Sequence, residues 1–104
     1  ADAPSGTALL LANAAASGRE VDPATHITPP HHGHAVRQKG HIGMSVVRAG
    51  DIVGEHTVTF GGIGERIELA HKASDRAIFA RGAVRAAMWL RGQPAGKYSL
   101  RDFL

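Results

Sequence analysis

Apolar and polar positions divide this chain into four blocks. From Ser5 to Ser17 it reads almost unbroken as Ala and Leu, with Asn13 the main interruption. Such a run predicts a helix that is apolar nearly all round and so buried on most sides. Ser5 is a good N-cap, Thr7 a second candidate, and Gly18 suits the C′ position that ends the helix. From Arg19 to Gly40 the pattern dissolves. Val21-Asp22-Pro23, Thr28-Pro29-Pro30 and Gly33 break regular structure there, which predicts a long loop over 19–40. Alternation then returns. Ile42, Met44 and Val46 alternate with Gly43, Ser45 and Val47. Ile52, Gly54, His56, Val58 and Phe60 alternate with Val53, Glu55, Thr57 and Thr59, and Ile67, Leu69 and His71 with Arg66, Glu68 and Ala70. With turns at 49–51 and 61–64, these segments predict an antiparallel meander. A last helical stripe of Phe79, Ala83, Ala86 and Leu90 follows the N-cap pair Ser74-Asp75 and should end at Gly92, with Trp89 at the rim of the core. Tyr98 and Leu100 alternate as in a short edge strand.

Together these blocks predict an α+β fold: a mainly antiparallel or mixed open sheet of about four strands, with two main helices packed on one face. The apolar sheet face should cover the helices. The opposite face carries Ser45, Glu55, Thr57, Thr59, Arg66 and Glu68. On physical grounds that face is either solvated or paired with another copy, and solvent is slightly favoured.

The chain has 104 residues, enough for one small domain, and its 43% hydrophobic content fits a globular protein. It has no cysteine, which excludes disulfides and thiolate metal sites and is compatible with the cytoplasm. No apolar run approaches membrane-spanning length, and the N-terminus lacks the pattern of a signal peptide. The abrupt start without methionine points to a fragment or a processed chain. Net charge is +3, but the 12 Lys and Arg are spread along the chain and there are few aromatics, so nucleic-acid binding is disfavoured. A basic surface suits an acidic small molecule equally well.

Two stretches carry candidate chemistry. Asp2-Ala3-Pro4-Ser5-Gly6-Thr7-Ala8 leads into the first helix, whose opening turn presents unpaired N–H groups and the positive end of the helix dipole. Ser5, Gly6 and Thr7 there would seat a carboxylate or phosphate. An ordinary capped helix explains the same residues, and local chemistry alone favours it. His31-His32-Gly33-His34 in the long loop could hold a transition metal, but no carboxylate or cysteine stands nearby to complete the set. A solvated histidine-rich loop is the better reading, and no metal site is expected.

The stretch from Asp2 to Ala8 resembles the signature of the 4-hydroxy-tetrahydrodipicolinate reductase (dihydrodipicolinate reductase) family, which runs His-His-x-x-Lys-x-Asp-Ala-Pro-Ser-Gly-Thr-Ala. Similar likeness is carried by residues 48–58, 64–74, 79–83, 86–90 and 96–102, in the same order, and fails only in the 19–40 loop. The resemblance is to the C-terminal, substrate-binding and tetramerisation domain. It implies a Rossmann-like nucleotide domain N-terminal to it, for which no glycine fingerprint is present here. It also implies a cytoplasmic enzyme of the diaminopimelate route to lysine that reduces a cyclic dicarboxylate with NADH or NADPH. In that frame Gly6 and Thr7 bind a substrate carboxylate, Ser5 sets up the seat, and Arg76 and Phe79 lie toward the cofactor. The catalytic histidine and the lysine precede Ala1, so no catalytic residue is expected in these 104. His31 and His32 follow the signature and are not that histidine pair. The resemblance also turns the polar sheet face into a homotetramer interface.

Overall fold

A computed structural model describes residues 3–104, and the chain divides into two compact units. The first holds the residues up to Asp51 together with His56–His71; the second holds Ile52–Glu55 and Lys72–Leu104.

The first unit opens with helix α1, Gly6–Gly18, capped by Ser5, whose Oγ accepts the Ala8 N–H at 3.2 Å. The helix packs through its small residues: Ala12 and Ala16 are buried, whereas Leu10 stays 71% exposed. Burial on most sides is thus corrected. Its most extensive contacts are with α2, Pro23–His26, and β2, Ile42–Gly43, and both are too short to cover its leucines.

The end of α1 also differs from expectation. Gly18 is its last helical residue and Arg19 its C-cap. The Val21 N–H reaches the Ala16 carbonyl and the Glu20 N–H the Ser17 carbonyl, both at 3.0 Å, which is the Schellman pattern. The left-handed position therefore falls on Glu20, at φ 54°. A side chain there costs about 1 kcal/mol that glycine avoids. Glu20→Gly is expected to stabilise the protein by about 0.5–1 kcal/mol, offset in part by a more flexible unfolded chain. A urea midpoint that falls in this variant would contradict the assignment.

The expected loop over 19–40 contains two elements. Asp22 caps α2 by accepting the Ala24 N–H at 2.9 Å, and Pro23 takes the first helical position. Strand β1, Ile27–Thr28, pairs in parallel with β2, setting Ile27 opposite Ile42 and Thr28 opposite Gly43. Pro29 and Pro30 cannot donate to a ladder, so β1 stops after two residues and β2 stops with it. The strand expected over 42–47 is accordingly cut to Ile42–Gly43, extended by one bond from the Met44 N–H to the Thr28 carbonyl at 3.0 Å.

Strands β3, Gly54–Gly61, and β4, Arg66–Ala73, form the second sheet. Four residues join them, a connection that only an antiparallel pair accommodates. The Gly62 N–H donates to the Glu65 carbonyl at 2.8 Å, and Gly64 supplies the positive φ of the turn. The α+β class therefore holds, with four strands among the described residues. They form two separate two-stranded sheets, however, which corrects the expected single four-stranded sheet with both main helices on one face.

In the second unit, helix α3 spans Ala77–Leu90, and its first N–H is taken by the Asp75 carboxylate at 2.8 Å. It ends two residues short of Gly92. The expected edge strand at Tyr98 and Leu100 is instead helix α4, Leu100–Phe103. Its start is secured by Asp102, one oxygen of which accepts both the N–H and the hydroxyl of Ser99 at 2.7 Å. Those bonds hold the Asp102 carboxyl below its usual range. Trp89 is half-buried, as a rim position implies. It is the hub of an aromatic cluster, edge-on to Tyr98 at 5.4 Å and to Phe103 at 5.9 Å, with the Arg85 guanidinium 5.7 Å over the Phe103 ring.

Candidate functional site

The first unit brings the three motif residues together at the start of α1. Asp2, at the head of the motif, lies outside the described residues. Ser5 spends one lone pair of Oγ on the Ala8 N–H. The N–H groups of Gly6 and Thr7, at the first two helical positions, have no acceptor within the helix. No acidic residue stands in the first turn, so nothing in the helix offsets the positive end of the dipole. Among the described residues, none outside its own turn of helix and chain neighbours comes within 4 Å of where a Cβ on Gly6 would stand. Thr7 is exposed and lines a cavity of about 300 Å³ with Leu11, His56, Val58, Leu69 and His71. The arrangement offers two N–H groups, a hydroxyl and a helix dipole to an anion, beside apolar walls that carry two imidazoles.

His56 was not among the residues singled out from sequence. Its half-buried ring places Nε2 3.1 Å from Ser5 Oγ, across 51 residues of chain. The available signal was a single imidazole at an apolar register position of a strand.

Arg76 and Phe79 stand together in the second unit, where with Val53 they line a cavity of about 410 Å³. The Phe79 ring lies close over Gly54, at ordinary van der Waals distance (4.0 Å) from where a Cβ would stand. His31, His32 and His34 are exposed on their loop, and among the described residues no cluster of three or more His, Asp or Glu is arranged to hold a metal ion. The histidines with partners in that region are His26 and His41, whose rings lie 5.3 Å apart, with Thr28 Oγ1 3.1 Å from His41 Nδ1. Among the described residues no helix is long and apolar enough to cross a membrane.

An α+β domain with an open, acid-free helix start beside a small two-imidazole cavity is thus the class of protein in hand. The family model for the C-terminus of dihydrodipicolinate reductase matches residues 1–104, and the chain belongs to that family. Its curated relatives include the 4-hydroxy-tetrahydrodipicolinate reductase of Methylocella silvestris, 57% identical over 104 residues, and 4-hydroxy-tetrahydrodipicolinate reductase 1 of Mesorhizobium japonicum, 56% identical. In both, the match takes in 99% of this chain but 38% of the relative. The reductase of Gluconacetobacter diazotrophicus is 53% identical, with 41% of its length matched.

Proposed function

We propose that this chain is the substrate-binding and tetramer-forming portion of a 4-hydroxy-tetrahydrodipicolinate reductase, a cytoplasmic enzyme that reduces a cyclic dicarboxylate with NADH or NADPH on the diaminopimelate route to lysine. The observation that carries the proposal is the Ser5-Gly6-Thr7 turn, at an uncompensated helix start, in a chain that this family's C-terminal model matches throughout.

In this reading the Gly6 and Thr7 N–H groups and the Thr7 hydroxyl hold one substrate carboxylate. Ser5 keeps the turn in shape from behind. Leu11 and Val58 line the cavity and limit water around the bound ring. Arg76 and Phe79 face the cofactor side: a guanidinium suits a phosphate, and an exposed ring suits a flat heterocycle. They supply no phosphate-cradling loop, so in this proposal most of the cofactor is held by the Rossmann-like domain of the longer enzyme. NAD(P)H, when bound, supplies hydride. The histidine that gives the proton and the neighbouring lysine belong to motif positions ahead of Ala1. The sheet face with Thr57, Thr59, Arg66 and Glu68 joins copies; support comes from β4, where every residue but Ala73 is exposed.

The test is a steady-state assay of the full-length enzyme alongside its mass by light scattering. Oxidation of NAD(P)H dependent on the cyclic dicarboxylate is expected, from an assembly of four copies. No turnover with that substrate would end the functional reading, and a monomeric mass would end the assembly.

A further inference from the structure

We propose that His56 is a positioning residue for the carboxylate seat and acts through Ser5. The inference rests on the reading of Gly6 and Thr7 given above. A serine hydroxyl has one hydrogen and two acceptor sites, and it rotates to suit its partners. With Ala8 alone as partner, Ser5 Oγ would be free to swing off the helix and leave the Ala8 N–H exposed in the seat. Oγ accepts from Ala8 at 3.2 Å and meets the His56 Nε2 at 3.1 Å with its hydrogen or its second lone pair, as the imidazole tautomer requires. Held from both sides, the hydroxyl has one orientation.

The placement of the ring supports the same role. His56 sits on β3, whereas Ser5 ends the segment that enters α1, so this one bond ties the helix start to the hairpin. His56 is half-buried and lines the same cavity as Thr7. The ionisable group sharing that cavity is His71. α1 contributes no charged residue, and the strand neighbour Glu55 projects to the opposite sheet face by alternation. Among the described residues no carboxylate lines the cavity, and the polar partner the structure gives His56 is Ser5.

The experiment is a titration of full-length reductase variants with pyridine-2,6-dicarboxylate, together with substrate and cofactor kinetics. His56→Leu removes the bond at similar volume and is expected to raise Kd and the substrate KM about five- to ten-fold, with the KM for NAD(P)H and kcat unchanged. His56→Gln, which keeps a polar group within reach, is expected to restore affinity to within about two-fold. In a Ser5→Ala background His56→Leu should cost nothing further, because the two residues act as one unit. Affinity within two-fold of the parent for His56→Leu, or an equal loss in both backgrounds, would overturn the proposal. Should His56→Leu fail to fold, His56→Ala takes its place: a five- to ten-fold loss that vanishes in the Ser5→Ala background supports it, and unchanged affinity sinks it. Thr7→Ala separates the two levels. If Thr7→Ala binds poorly and His56→Leu normally, the role of His56 falls and the seat stands. If Thr7→Ala also binds normally, the seat itself falls.

Discussion

Thr7→Ala in the full-length reductase is expected to raise the substrate KM and the Kd for pyridine-2,6-dicarboxylate about ten-fold, with kcat within two-fold of the parent. A hydrogen bond to a charged group contributes about 1.5–3 kcal/mol, and the exposure of Thr7 puts it at the low end of that range. Such a loss is close to one decade in affinity. It should fall on binding rather than on the chemical step, because a carboxylate carries the same charge before and after hydride arrives. Two alternative causes of a loss are removed by the structure. Thr7 is not the helix cap, since Ser5 takes the Ala8 N–H. Nor can the substitution weaken α1 by propensity, because alanine is the better helix former. Thr7→Ser retains the hydroxyl and should bind like the parent. Isothermal titration of the three proteins is the measurement. An unchanged Kd for Thr7→Ala would mean that the turn is a capped helix start and nothing more.

The parts of this fold that could be read in advance are those whose cause is local. The Ala and Leu run and the Ser5 cap belong to one helix, and α1 follows them to within a residue at each end. The period-two alternation of β3 and β4 is likewise written in consecutive positions. Two misreadings concern signals that were present but outweighed. Asp22-Pro23 looked like a break, although a capping carboxylate followed by proline is also how a helix begins. Tyr98 and Leu100 looked like a strand, although two positions cannot fix a period and Ser99 with Asp102 has the spacing of a helix cap. The rest depends on residues far apart in sequence. The parallel pairing of Ile27 with Ile42 has no local signature, since neither residue differs from an ordinary apolar one. The bond from Ser5 to His56 crosses 51 positions, so the candidate site was readable at its helix end and not at its hairpin side.

Trp89→Ala is expected to destabilise the C-terminal end of the second unit by about 2 kcal/mol, a change of about thirty-fold in its opening equilibrium. Full burial of a tryptophan would make the loss larger, but Trp89 is half-buried, which roughly halves the burial contribution. Its two edge-on contacts, with Tyr98 and Phe103, add to that. These contacts link α3 to the segment that follows it. The remaining ties of that segment are local or weak. Tyr98 donates to the Pro94 carbonyl at 2.6 Å, Ser99 binds Asp102, and Arg85 lies over Phe103. A four-residue helix does not persist in water on its own bonds, so α4 depends on the indole for its stability. Hydrogen exchange read by mass spectrometry on peptides covering 98–104 should show the faster opening, while peptides over β1 and β2 keep the parent rate. Trp89→Phe retains one ring edge and should recover about half of the protection. Unaltered exchange in Trp89→Ala would show that α4 is held by its cap and the Tyr98 bond, and that the aromatic cluster contributes contact without stability.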